Sequence, residues 1–215
     1  MTGYDWGAIP DWVSVLCNVI LIGLAIIGYN GWKAEFRTQK RFEIASRVIE
    51  AFSACEEALA YCRARYIQEG VGEQTLTRAL KEVDEIPDPL SRDQETAMLV
   101  PAATIEKLMS DGVIADFTRL EELRHQTAII LGPRAKDAIE ILLNQRTAVF
   151  NTAKIYLGSM VVDYHPYRRG ENAEIDNFRA TITDLGDGDT VRAAIAAARV
   201  RLEAITEPVL EIARE

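Results

Sequence analysis

The side chains with the most chemical potential are few and scattered. Arg119 and His125 bracket the run Arg-Leu-Glu-Glu-Leu-Arg-His. An arginine can hold a phosphate, and a histidine can move a proton near neutral pH, so the pair has the parts for general acid–base catalysis. The plainer reading is a histidine on a helix flank. Arg146 opens a run of similar spacing that ends at Asn151, with Asn where a proton-moving His would stand. Arg146 also falls in the middle of an apolar helical face made by Ile139, Leu142, Leu143, Val149, Phe150 and Tyr156. A guanidinium buried there needs a carboxylate or carbonyl partner. An ion pair inside a bundle, a snorkelling edge position or an interface anchor would each satisfy it. The third group is Tyr164, His165, Tyr167, Arg168 and Arg169, where aromatics beside arginines could contact a phosphate or stack a base. An ordinary loop cap explains the same residues.

Many chemistries are excluded. The glycine-rich phosphate loops G-x-x-x-x-G-K-[ST] and G-x-G-x-x-G are absent, as is the nucleophile elbow G-x-S-x-G. The turn over 184–189 lacks the spacing and closing Glu of a calcium-binding loop. With 2 His and 3 Cys, a multi-histidine metal site, a zinc ribbon and a disulfide scaffold are all ruled out within one chain. No cofactor or metal is called for, and a net charge of −9 argues against nucleic acid as a partner. The sequence favours a non-enzymatic role over catalysis.

The elements that would carry these residues are helices. The chain has 215 residues, 48% hydrophobic and 27% charged, with little β-branched alternation. Between Asp11 and Lys33 there is no charge, and Trp12 to Trp32 reads as a membrane-spanning helix with interfacial aromatics at both ends. The residues before it contain no Lys or Arg, which argues against a cleaved signal peptide. Lys33, Arg37, Lys40 and Arg41 follow the span. Positive-inside logic therefore puts residues 1–32 in the inner membrane and outside it, and residues 33–215 in the cytoplasm. Ser14, Asn18, Leu21, Ala25, Gly28 and Trp32 form a seam rich in small and polar residues at alternating spacings of four and three. Such a seam lets helices approach in lipid, and it predicts self-association through Ser14, Asn18, Ala25 and Gly28.

Beyond the span, Ala45, Val48, Phe52, Cys55, Leu59, Cys62 and Tyr66 repeat in an a/d pattern along a stalk helix that should run to Gly70. This stripe can pack on the chain's own helices or on a neighbour. Further helices are expected over 73–85, over 93–111 (in one piece or split at Pro101), over 113–131, over 134–163, over 172–184, and from a cap at Asp189 or Thr190 onward. The fold class is all-α: one transmembrane helix continuing into a stalk, with an antiparallel cytoplasmic bundle.

The aromatic-ended span, Gly31-Trp32-Lys33, the basic linker, the stalk from Glu43 to Arg65 and the closing stretch from Ile205 to Leu210 resemble, in layout, a family of small bacterial membrane proteins. These are the HEPN-like accessory membrane proteins of type VI-B CRISPR systems. The resemblance implies a helical bundle that oligomerises into a membrane pore and strengthens antiviral defence. It also makes Arg119 and His125 the candidate HEPN pair of a possible ribonuclease, since their spacing is similar to R-x(4–6)-H. The expected function is a self-associating, pore-forming or membrane-perturbing effector, with lipid and further copies of itself as partners. A membrane-tethered scaffold for a cytoplasmic protein is the alternative.

Overall fold

The computed structural model describes residues 11–64, 73–81, 92–162, 173–183 and 188–212. All regular structure among them is helical: α1 (Asp11–Arg63), α2 (Glu73–Lys81), α3 (Arg92–Leu108), α4 (Asp111–Ile130), α5 (Pro133–Val162), α6 (Ala173–Ile182) and α7 (Thr190–Ile212).

The a/d stripe of α1 decides where the bundle begins. Ala45, Val48, Phe52, Cys55, Leu59 and Cys62 are all buried, joined by Ile44 and Ala51. All of these but Ala45 belong to one core, with Val113, Phe117 and Leu120 of α4, Ile139 and Leu142 of α5, and Ile195 and Leu202 of α7. A second, smaller core lies farther along α5. There Ala153, Tyr156 and Leu157 meet Leu76 of α2, Met98 and Ile105 of α3, and Ile182 of α6. Phe150 packs against both cores. The 30 residues of α5 thus form the beam that joins the two layers.

Ion pairs fix the directions of the neighbours. Arg119 of α4 meets Glu50 of α1 at 3.2 Å, while Lys107, just before α4, reaches the Tyr61 carbonyl at 3.3 Å. Chain order increases on α4 as it decreases on α1, so the two run antiparallel. Arg199 with Glu56 (2.8 Å) and Asp189 with Arg63 (2.7 Å) set α7 antiparallel to α1 in the same way. Turn chemistry closes the corners. Gly132 takes φ +101°, and the Leu131 and Gly132 amides both donate to the Thr127 carbonyl, at 2.9 and 3.1 Å. This is a glycine C-cap, and Pro133 then opens α5 at the position where its missing N–H costs nothing.

Two boundaries differ from the sequence expectation, and the two readings left open at Pro101 are decided. The helix of α1 ends at Arg63, before the glycines at 70 and 72, where the Arg63 side chain meets another helix end. Residues 65–72, including Tyr66, lie outside the described residues. The break before α4 falls at Met109–Ser110, not at Gly112, which sits in the first turn of α4. Pro101 is buried inside an unbroken α3. It removes one N–H from the ladder, and burial of Met98, Ala102 and Ile105 around it offsets that loss.

Candidate functional site

The N-terminal half of α1 is the chemically unusual part of the molecule. Ten large apolar side chains from Trp12 to Ile27 are exposed, up to 70% at Ile27. This helix, near the N-terminus, is long and apolar enough to cross a membrane, and its most apolar window is wholly uncovered by the rest of the chain. Leaving ten such side chains in water forgoes on the order of 15–30 kcal/mol of burial. Aromatic rings cluster where the apolar stretch meets charge. Trp32 lies 6.1 Å from Tyr29 and stacks on Phe36 at 5.7 Å, with the Lys33 ammonium 5.9 Å above Tyr29.

Asn18, Leu21, Ala25 and Gly28 all lie exposed on this segment, and Gly28 has no atom within 4 Å of where a Cβ would stand. The Ser14 side chain is outside the described residues. At about 100° per residue, the seam direction lies about 160° around α1 from the buried stripe that begins at Ile44. The seam therefore faces away from the bundle.

Arg119 and His125 are both exposed on α4, and Arg119 is engaged by Glu50. Six residues along a helix place them about 120° apart around its axis and about 9 Å along it. The helix therefore does not bring the two side chains together on one face. Of the alternatives open for Arg146, the buried ion pair is not the one seen among the described residues. Arg146 is half-buried, has no ion pair among the described residues, and lays its guanidinium over the Phe117 ring at 4.9 Å. Stacking satisfies a weakly hydrated planar cation without a carboxylate. Tyr167, Arg168 and Arg169 lie outside the described residues.

Next to this lie two thiols. Burial pushes Cys55 up to about 12 and Cys62 up to about 11, with nearby Asp116 adding to the first and Lys107 opposing the second. Both thiols remain protonated at neutral pH and act as small core side chains. Cys17 on the apolar segment is exposed.

Sequence reasoning missed the tightest polar centre of the bundle. Arg63 is 4% exposed and donates to the carbonyls of Ala180 (3.1 Å), Thr181 (2.9 Å) and Thr183 (3.0 Å) at the end of α6. Its guanidinium also pairs at 2.7 Å with Asp189, whose side chain is 0% exposed. Asp189 Oδ1 in turn accepts from the amides of Val191 (2.9 Å) and Arg192 (3.1 Å), capping α7 as the sequence suggested. One cation therefore closes the C-terminus of α6 while its carboxylate partner opens α7. The only sequence signal was an arginine directly after Cys62 of the stripe. A groove of about 330 Å³ opens beside this centre, between α1 and α7, lined by Glu56, Leu59, Arg192 and Arg199 among others. Among the described residues there is no cluster of metal-binding side chains. No family model matches this chain, and no curated protein or solved structure matches it either.

Proposed function

We propose that the protein is a single-span membrane protein that acts by assembling with further copies through the seam of α1, as a pore-forming or membrane-perturbing effector. The N-terminus lies outside the inner membrane and the bundle in the cytoplasm. The observation that carries the reading is the uncovered apolar segment from Trp12 to Trp32, on the same helix whose other half is fully packed. The seam's direction supports assembly. Because it points away from the bundle, several copies can bring Asn18, Ala25 and Gly28 together without their bundles colliding. Small residues permit close approach and Asn18 can hydrogen-bond across helices. Antiviral defence as the setting rests on the resemblance in layout alone.

The test is the mass of the full-length protein in mild detergent beside a form beginning at Lys33. A discrete ring-sized oligomer that requires residues 12–32, and that Asn18→Leu disperses, supports the proposal. A monomer or dimer in both forms overturns the pore. It would favour the tethered-scaffold reading, for which the charged groove between α1 and α7 offers a docking place. The ribonuclease reading draws no support from an arginine and a histidine on different faces of α4.

A further inference from the structure

We infer that the corner between α4 and α5, with Ile129 at its tip and Arg134 beside it, rests on the anionic phospholipid headgroups of the membrane that holds α1. This inference builds on the membrane reading of residues 12–32. Ile129 is 84% exposed, more than any other large apolar side chain described, including those of the apolar segment. It is held out by construction. The Gly132 C-cap and the Thr127 hydroxyl bond to the Leu123 carbonyl (2.8 Å) fix the turn, and Ile130 and Leu131 pack inward.

The corner lies at the end of the bundle from which α1 projects. From the Arg119–Glu50 pair, Leu131 is about 18 Å farther toward the membrane along α4, and Trp32 is about 27 Å farther along α1. The corner therefore ends about 9 Å short of the level of Trp32. The headgroup layer of one leaflet is about 5–8 Å deep. An isoleucine side chain and an ordinary helix tilt of about 20° close the remaining distance.

Charge selects the lipid. Between Glu122 and Asp137 the chain has Arg124, His125, Arg134 and Lys136 and no acidic residue, in a protein of net charge −9. Lys136 is paired with Glu140, whereas Arg134 is exposed. Lys33, Arg37, Lys40 and Arg41 on α1 add to the same surface; Glu35 opposes them, and Glu43 is engaged by Lys40 and Arg47. Near this end α7 carries Glu207 and Glu211, which an anionic surface repels, while Glu203 is paired with Arg199. The bundle therefore leans on the α4–α5 corner and away from the end of α7.

The test uses the full chain with Cys17→Ser, reconstituted in vesicles of neutral phosphatidylcholine with or without phosphatidylglycerol. An environment-sensitive fluorophore is placed at Ile129→Cys or, as reference, at Ile155→Cys, an exposed site far along α5. Brominated lipids report contact. Most of the fluorescence at position 129 should be lost, more so with the anionic lipid, while position 155 keeps its signal; Arg134→Glu should restore much of the loss. Co-flotation with the vesicles but equal signals at 129 and 155 overturns the corner and leaves the span intact. Equal quenching in both lipids overturns the choice of an anionic surface. A blue-shifted but unquenched fluorophore at 129 means that a second copy covers the corner, which also overturns the inference. Failure to co-float overturns the membrane reading and this inference with it.

Discussion

The two halves of α1 are one continuous helix with opposite fates. From Ile44 to Arg63, most large apolar residues keep to one stripe, charged and small residues share the rest with Tyr61, and the stripe disappears into the bundle. From Trp12 to Trp32, apolar residues go all the way round, and nothing in the chain covers them. The more hydrophobic half is the exposed one. What places a helix inside a protein is the match between its apolar face and a partner's, and a helix apolar on every side leaves no polar face for water. Such a helix needs an apolar solvent or copies of itself.

The contrast can be broken most forcefully at Arg63. Arg63→Met removes the cation paired with buried Asp189 and uncaps α6, so we expect a loss of about 3–5 kcal/mol. A thermal melt followed by circular dichroism would show it, whereas Ile22→Ala in the apolar segment should leave the melt of the bundle unmoved. A melt for Arg63→Met that matches the parent would mean that this centre does not hold the bundle together. Next comes Phe52→Ala, which opens a cavity beneath α4 and α7 and should cost about 3–5 kcal/mol, unless neighbours collapse into it. Gly132→Ala forces a side chain into a left-handed conformation and should cost about 1–2 kcal/mol. Arg119→Ala removes an exposed pair with Glu50 and should change stability by at most about 1 kcal/mol. It thus separates a structural from a catalytic role, because loss of activity at full stability would revive the catalytic reading.

The thiols sharpen the comparison further. At neutral pH in detergent, a maleimide should label Cys17 and leave Cys55 and Cys62 unmodified until the bundle unfolds. Their burial also sets a pH dependence. Folding raises both thiols from the ordinary 9.0, to about 12 and about 11. The folded state thus holds its protons more tightly than the unfolded one. That contribution is whole below pH 9.0 and drains away as pH rises toward the folded values. The alkaline limb of a stability profile should flatten in Cys55→Ala relative to the parent.

Much of this fold could be read from the residues. The stripes of α1 and α7 were legible because a single repeat persisted over several turns, and Gly132-Pro133 and Asp189 marked helix ends through local chemistry. What stayed hidden depended on distant contacts. Nothing local says that Arg63 will reach residues 180–183, or that Phe117 will supply a ring for Arg146. Pro101 looked like a possible break because its cost is local, while the burial that offsets it comes from α2 and α5. The stripe of α7 also drifts. Thr206 is buried where Ile205 was expected, and Ile212 ends up 65% exposed. In the candidate site, the seam on α1 was visible as spacing. Its direction relative to the bundle emerged only once the first packed residue, Ile44, was known.

The unbroken course of α1 has a mechanical meaning. From Ile44 to Asp11 the helix extends about 50 Å without support from the bundle. If the bundle pivots by about 10°, a rigid shaft of that length carries its far tip through roughly 9 Å. Twist is transmitted as directly as tilt, so turning the bundle about the helix axis turns the seam by the same angle. A small event at the bundle thereby becomes a large displacement at the far end of α1, with Ile44 as the fulcrum.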